Sequence, residues 1–274
     1  MSILRSYWNG FHTLLSPRQH TRLLLATSVL ALLLGAALVW LAGMRLWSAT
    51  LIGLALLLYP AGMKWRDDLA RWGWPLTVLS ILVALQGFHT IEHLVQWAQK
   101  YLLGWAYQDS SGLISPLNAE IVHFVWNWSV VLVVGYLLWS GLRHPLGFLL
   151  FAWSLAHSLE HLYLFVNYLE TLGVLVGTHQ PWSLAQGQPG IFGRYGWLSQ
   201  NVPDSAVFVC NLINPGLLNG QRLDIHFWWN MWEALLMLIY AAAVMRRHTT
   251  REGYAPIRRL TDLAAAARVA DPGR

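Results

Sequence analysis

Six long apolar runs, separated by polar breaks, divide the chain, and all are close to or above the ~20 residues that carry an α-helix across a hydrocarbon core. They cover residues 23–43, 46–63, 72–97, 118–142, 145–172 and 224–245. The pattern predicts an all-α integral membrane protein with six transmembrane helices, the last four forming a bundle of two helical hairpins. The expected divisions are a cytoplasmic interfacial N-terminus (1–22), a scaffold hairpin (23–63), a first helix pair (72–142), a second helix pair (145–245) and a basic cytoplasmic tail (246–274). Ser115 and Pro116 suit the N-cap and first turn of the fourth helix. The 173–223 link is too long for a structureless connection and is expected to fold over the bundle as a cap. A short amphipathic helix is expected within 255–270.

Composition agrees with lipid as the solvent: 56% of the 274 residues are hydrophobic and 11% are charged, against about 25% charged in an ordinary soluble domain. Charge then orients the bundle. With both termini in the cytoplasm, fourteen of the eighteen Lys and Arg fall on the cytoplasmic side, as short-loop bias requires. The net charge of +5 therefore reads as a topology signal with membrane lipid as partner, and excludes a nucleic-acid role. A plasma or inner membrane is the expected location. The first run is too long for a signal-peptide core and is expected to be retained. The single cysteine, Cys210, excludes an internal disulfide and a thiolate-rich metal site.

The first two runs carry no charged residue and read as scaffold. The other four break their apolar character with His, Glu, Asn and Gln, which in lipid face a bundle interior. The third holds His89-Thr90-Ile91-Glu92-His93 and the fifth His157-Ser158-Leu159-Glu160-His161, both H-x-x-E-H. The fourth holds His123-Phe124-Val125-Trp126-Asn127 and the sixth His226-Phe227-Trp228-Trp229-Asn230, both H-F-x-W-N. The alternation is an internal repeat, and its two parallel halves are expected to be related by a pseudo-twofold axis along the membrane normal.

Residues three, four and seven apart share a helix face. One stripe therefore holds Gln86, His89, Glu92, His93 and Gln96, and a second His157, Glu160 and His161. A third holds Glu120, His123 and Asn127, and the fourth His226, Asn230 and Glu233. The odd runs carry their motifs in the middle or later part and the even runs carry theirs early, so all four stripes converge in the outer half of the membrane. So many ionisable groups in hydrocarbon call for a cation, and facing helices of a four-helix bundle commonly assemble dinuclear sites.

The expected ligands are His89, His93, His123, His157, His161 and His226, together with Glu92, Glu120, Glu160 and Glu233. Glu92 and Glu160 are expected to bridge the metals and to be catalytic, while Asn127, Asn230 and Gln96 orient ligands from behind. Nitrogen and oxygen donors without Cys point to iron, with copper, zinc or manganese as alternatives and haem behind them.

H-x-x-E-H resembles the zinc-binding string of inverted zinc peptidases, but two copies plus two more histidine helices exceed what one catalytic zinc requires. There is a looser likeness to the histidine boxes of membrane di-iron hydroxylases and desaturases, whose adjacent His pairs are missing here. No residue role is carried over from either. The leading expectation is a dinuclear non-haem oxidoreductase of oxygenase, hydroxylase or desaturase type. Its substrate would be lipophilic or small and apolar, its electrons would come from a quinol or a reductase, and oligomer formation stays open. The alternatives are a metal-ion or proton transporter, a haem electron-transfer protein and a zinc-dependent membrane hydrolase. A polar network that only packs helices is the bland reading.

Overall fold

The computed structural model describes residues 2–106, 109–114, 119–185, 187–201, 218 and 220–250, and these form helices and turns with no strand among them. Among the described residues the α-helices are α1 (Ser2–Leu15), α2 (Thr21–Trp40), α3 (Leu46–Trp72), α4 (Trp74–Tyr101), α5 (Glu120–Trp139), α6 (Pro145–Gly177), α7 (Trp197–Asn201) and α8 (Arg222–Thr250). Six helices are long and apolar enough to cross a membrane, which makes this a multi-pass membrane protein. The expected cap at Ser115 and Pro116, residue Cys210 and the tail helix lie outside the described residues.

Turn chemistry sets the helix boundaries. Gly73 alone separates α3 from α4: its φ of +77° closes α3, a conformation that costs glycine little, and Pro75 then sits in the first turn of α4, where a missing N–H is harmless. Pro145 opens α6 in the same way, with the His144 ring accepting a bond from the Leu146 N–H.

α3 runs to Trp72 rather than stopping near Met63, because its last turns are polar on one face and find partners. The Lys64 ammonium donates to Asp68, to Ser80 Oγ at 2.7 Å and to the Leu14 carbonyl at 2.9 Å. That knot ties α1, α3 and α4 together at one end of the bundle. α1 is docked along α8 rather than loose at an interface: Leu14 is fully buried, and Gly10 lies so close to Ala242 O that a Cβ would collide with it.

Burial separates scaffold from bundle. In the apolar window of α2 only 6% of residues are buried, against 39% in α4, α5 and α6 and 50% in α8. α2 packs chiefly on α3, whereas α5 packs on α6, α6 on α8, α8 on α4 and α4 on α5, closing a ring of four. The ring has two layers. Toward the α1 end, Leu76, Leu79, Val134, Leu137, Leu150, Met237 and Tyr240 form a dry core. Toward the opposite end, where the His89 to Gln96 stretch of α4 and the starts of α5 and α8 lie, the interior turns polar.

Candidate metal centre

Six imidazoles fill the polar layer. His89 and His93 come from α4, His123 from α5, His157 and His161 from α6, and His226 from α8, and all are at least nine-tenths buried. They sit together because α4 and α6 reach this level midway, while α5 and α8 start at it and run the other way. Ring centroids on different helices lie 4.7 Å apart for His123 and His226, 4.6 Å for His161 and His226, 4.8 Å for His93 and His226, and 5.5 Å for His123 and His161.

Hydrogen bonds behind the rings decide which nitrogen faces inward. His93 Nδ1 lies 2.8 Å from Gln96 Oε1, His123 Nδ1 3.0 Å from the Ala119 carbonyl and His157 Nδ1 2.9 Å from Glu233 Oε2. Each partner is an oxygen that only accepts, so each Nδ1 carries the proton. In a neutral imidazole the Nε2 then keeps its lone pair, the arrangement usual for metal-ligating histidine. Glu233 is itself held by Ser154 Oγ at 2.5 Å.

Within each H-x-x-E-H motif the two Nε2 atoms face each other, 3.1 Å apart for His89 and His93 and 3.3 Å for His157 and His161. Two imidazoles on one tetrahedral ion at ~2.0–2.1 Å stand ~3.3 Å apart, a spacing that also suits an N–H···N bond. Two groups place three ligand atoms within 4.8 Å of one another: His93, His123 and His226, and His157, His161 and His226. His226 belongs to both. Its Nε2 is buried with no hydrogen-bond partner, as is His161 Nδ1. Buried donors and acceptors left unmatched cost free energy, and a shared cation would satisfy the lone pairs among them.

The carboxylates surround this cluster without entering either group. Glu92 accepts from the Leu113 N–H at 2.7 Å and the Ile114 N–H at 3.0 Å. Glu160 accepts from the Ile191 N–H at 3.0 Å and the Phe192 N–H at 3.4 Å. Each thus clasps the loop that follows its own helix, and each clasped pair follows a glycine, Gly112 or Gly190, where a Cβ would collide with the carboxylate. Glu120, three residues before His123 as in soluble di-iron bundles, takes a bond from Arg222 Nη2 at 2.7 Å. Of the four acidic residues singled out by sequence, Glu233 hydrogen-bonds an imidazole, and it does so at Nδ1, behind the ring.

The asparagines sit as spacing predicts, on the histidine faces. Asn127 Nδ2 donates to the His123 carbonyl at 2.9 Å and Asn230 Nδ2 to the His226 carbonyl at 2.8 Å. Trp126 stacks on His89 with centroids 4.8 Å apart, and Trp229 stacks on His157 at 5.4 Å.

Several participants escape a reading based on motif spacing alone. Arg222 is a lone arginine at a helix start. Ser154 and Gln99 are ordinary helix positions, yet Gln99 holds the Gly112 backbone through both its amide nitrogen and its oxygen. The available signal was the pair of glycines followed by two apolar residues, Gly112-Leu113-Ile114 and Gly190-Ile191-Phe192, one in each link that follows an H-x-x-E-H helix. No protein-family model, no curated protein and no solved structure matches the chain, so its chemistry is read from its own side chains.

Proposed function

We propose that the protein is a membrane-embedded metalloenzyme, an oxidoreductase with a dinuclear centre held by His89, His93, His123, His157, His161 and His226. The observation that carries this reading is the set of Nδ1 bonds to Gln96, Ala119 and Glu233, which leaves Nε2 lone pairs converging inside a dry cluster. Packing of helices needs no such agreement in tautomer. Redox-active metal ions would supply one-electron chemistry at this place, and the protein would hold them, fix the ring orientations and exclude lipid.

The donor set bears on the metal. With Glu92 and Glu160 bound to backbone amides and Glu120 to Arg222, the inner ligands are imidazoles, which suit copper and iron and also zinc, whereas manganese prefers carboxylates. We therefore place iron and copper first. In this reading Glu92 and Glu160 anchor loops rather than bridge metals, and Gln96, Asn127, Asn230 and Glu233 orient ligands. Haem fits poorly, because six imidazoles from four helices crowd one space, with ring centroids on different helices 4.6–6.1 Å apart.

The same reading includes a pseudo-twofold axis along the membrane normal that exchanges α4 with α6 and α5 with α8. Matched Nε2 pairs, Trp stacks, Asn bonds and Glu clasps support it. The basic residues favour both termini in the cytoplasm of a plasma or inner membrane, with the cluster in the outer half. Electrons would come from an external quinol or reductase.

Elemental analysis of the purified protein, with its absorption spectrum, tests the proposal. About two equivalents of iron or copper are expected per chain, falling with His226→Ala, and no Soret band. Protein purified without bound metal under several loading conditions would overturn it.

A further inference from the structure

A cavity of about 140 Å³ lies between the 187–195 loop and the second-half histidines, lined by His157, His226, Trp229, Ile225, Arg222 and Glu160 among others. Its volume accommodates a molecule of a few heavy atoms and excludes an acyl chain. Resting on the metal-centre reading above, we infer that this cavity is the substrate pocket of the second metal position. The ligand class is a small oxygen-bearing anion, the size of formate or acetate, that enters through the loop and not from the bilayer.

The argument comes from a difference between the two copies of the repeat. Trp126 and Trp229 occupy the same motif position and stack on equivalent histidines, yet Trp126 Nε1 donates to Gln86 Oε1 at 3.1 Å, while Trp229 Nε1 is buried with no partner. Gln86 stands three residues before His89, and the residue three before His157 is Ser154, which is too short to reach the indole and is bonded to Glu233. Trp229 is about nine-tenths buried, so its N–H has lost water without gaining an acceptor, a cost of the kind that buried polar groups avoid. His226, also lining the cavity, presents an Nε2 without a partner. Two residues that each keep a buried nitrogen without a partner, Trp229 and His226, thus line one small space.

Charge completes the selection. Glu160, which lines the cavity, is bound by the Ile191 and Phe192 amides, and Glu120 beside it is paired with Arg222. The guanidiniums of Arg222 and Arg194 and a bound metal leave the pocket favourable to an anion. Gly190 and Gly193 bring the loop backbone in close, since a Cβ would collide with Glu160 at the one and with Ile225 at the other, and Gln188, Phe192, Arg194 and Tyr195 complete the roof.

Formate titrated into metal-bearing protein, followed by calorimetry and by the metal's absorption bands, tests the inference. One formate per chain should bind saturably. Trp229→Phe, which keeps the stack and removes the donor, should weaken binding about fivefold, the loss of one hydrogen bond. Trp126→Phe should change it less than twofold, and Ile225→Trp, which fills the cavity, should abolish it. Decanoate should bind at least tenfold more weakly than formate. Metal-bearing protein that ignores formate, equal loss from both tryptophan variants, or preference for decanoate would overturn the pocket and leave the metal centre standing. Absence of metal from the same samples would remove the centre and the pocket with it.

Discussion

The first copy of the repeat is closed and the second is open. In α4 and α5 the Trp126 indole, His93 and the loop each find a side-chain partner, in Gln86, Gln96 and Gln99, while Gln86 Nε2 and Asn127 Oδ1 are buried without one. In α6 the place of Gln86 carries Ser154, which bonds to Glu233 of α8, and Glu233 in turn bonds to His157, while Trp229, His161 and His226 each keep a buried nitrogen without a partner. The loop clasped by Glu92 belongs to the shorter link, and the loop clasped by Glu160 to the longer one. The repeat thus preserves the histidines and the tryptophan stacks and varies the groups that hold them. The second half alone adjoins the cavity under the 187–195 loop.

The most severe way to break this division is at the shared ring. His226→Ala should remove both metal equivalents, because His226 is common to the two groups, whereas His161→Ala should remove one and His93→Ala the other. Metal content by elemental analysis of all three checks it; retention of one equivalent in His226→Ala would show that the halves do not share a ligand.

A smaller effect is expected from Glu233→Gln, which keeps the shape and removes the charge behind His157. Loss of such a partner lowers metal affinity by roughly 10–100-fold. Competition against a chelator should show one equivalent leaving early and the other unaffected, since no acidic residue stands at the equivalent place, Val130, in the first copy. Simultaneous release of both metals would mean that the two positions form one unit.

The clasps should respond without loss of metal. Glu160→Gln weakens two charge-assisted bonds, each ~1.5–3 kcal/mol, so hydrogen exchange at Ile191 and Phe192 should accelerate roughly 10-fold or more while metal content holds. Glu92→Gln should do the same at Leu113 and Ile114 alone. If either variant loses metal in proportion, the carboxylate is a ligand, as the H-x-x-E-H spacing by itself suggests.

Periodicity and hydropathy made the helices legible, and the i, i+3, i+4 stripes made the histidine cluster legible, since a helix fixes direction along its own length. The carboxylates were less so. Glu92 lies on the same stripe as His89 and His93, but near the end of α4 it faces a returning backbone, and nothing in helical spacing says where Leu113 and Ile114 come back. The end of α3 was missed for the same reason: Lys64 and Asp68 look like a boundary until Ser80 and the Leu14 carbonyl arrive from other helices. Arg222 has no motif, and its role at Glu120 depends on two helix starts meeting at one level.

The mildest change tests the comparison most directly, because it makes the closed half resemble the open one. Gln86→Leu removes the acceptor for Trp126 Nε1 and leaves a buried donor unpaired, as Trp229 Nε1 already is. Such a group costs ~1–3 kcal/mol, offset in part because the substitution also removes Gln86 Nε2, which is buried without a partner; each kcal/mol that remains lowers the thermal midpoint of a chain of this size by about 2–4 °C. Metal content should stay at the wild-type value, since Gln86 bonds to the indole and to no ring in the cluster. A second, weak formate site should appear beside His89 only if space opens there as well, and the added Leu side chain occupies that space. A fall in stability with unchanged metal and unchanged formate stoichiometry would therefore locate the difference between the copies in both the orphaned indole and the cavity next to it. A variant as stable as the wild type would show instead that the Gln86 bond contributes nothing, and that the open state of Trp229 needs no ligand to explain it.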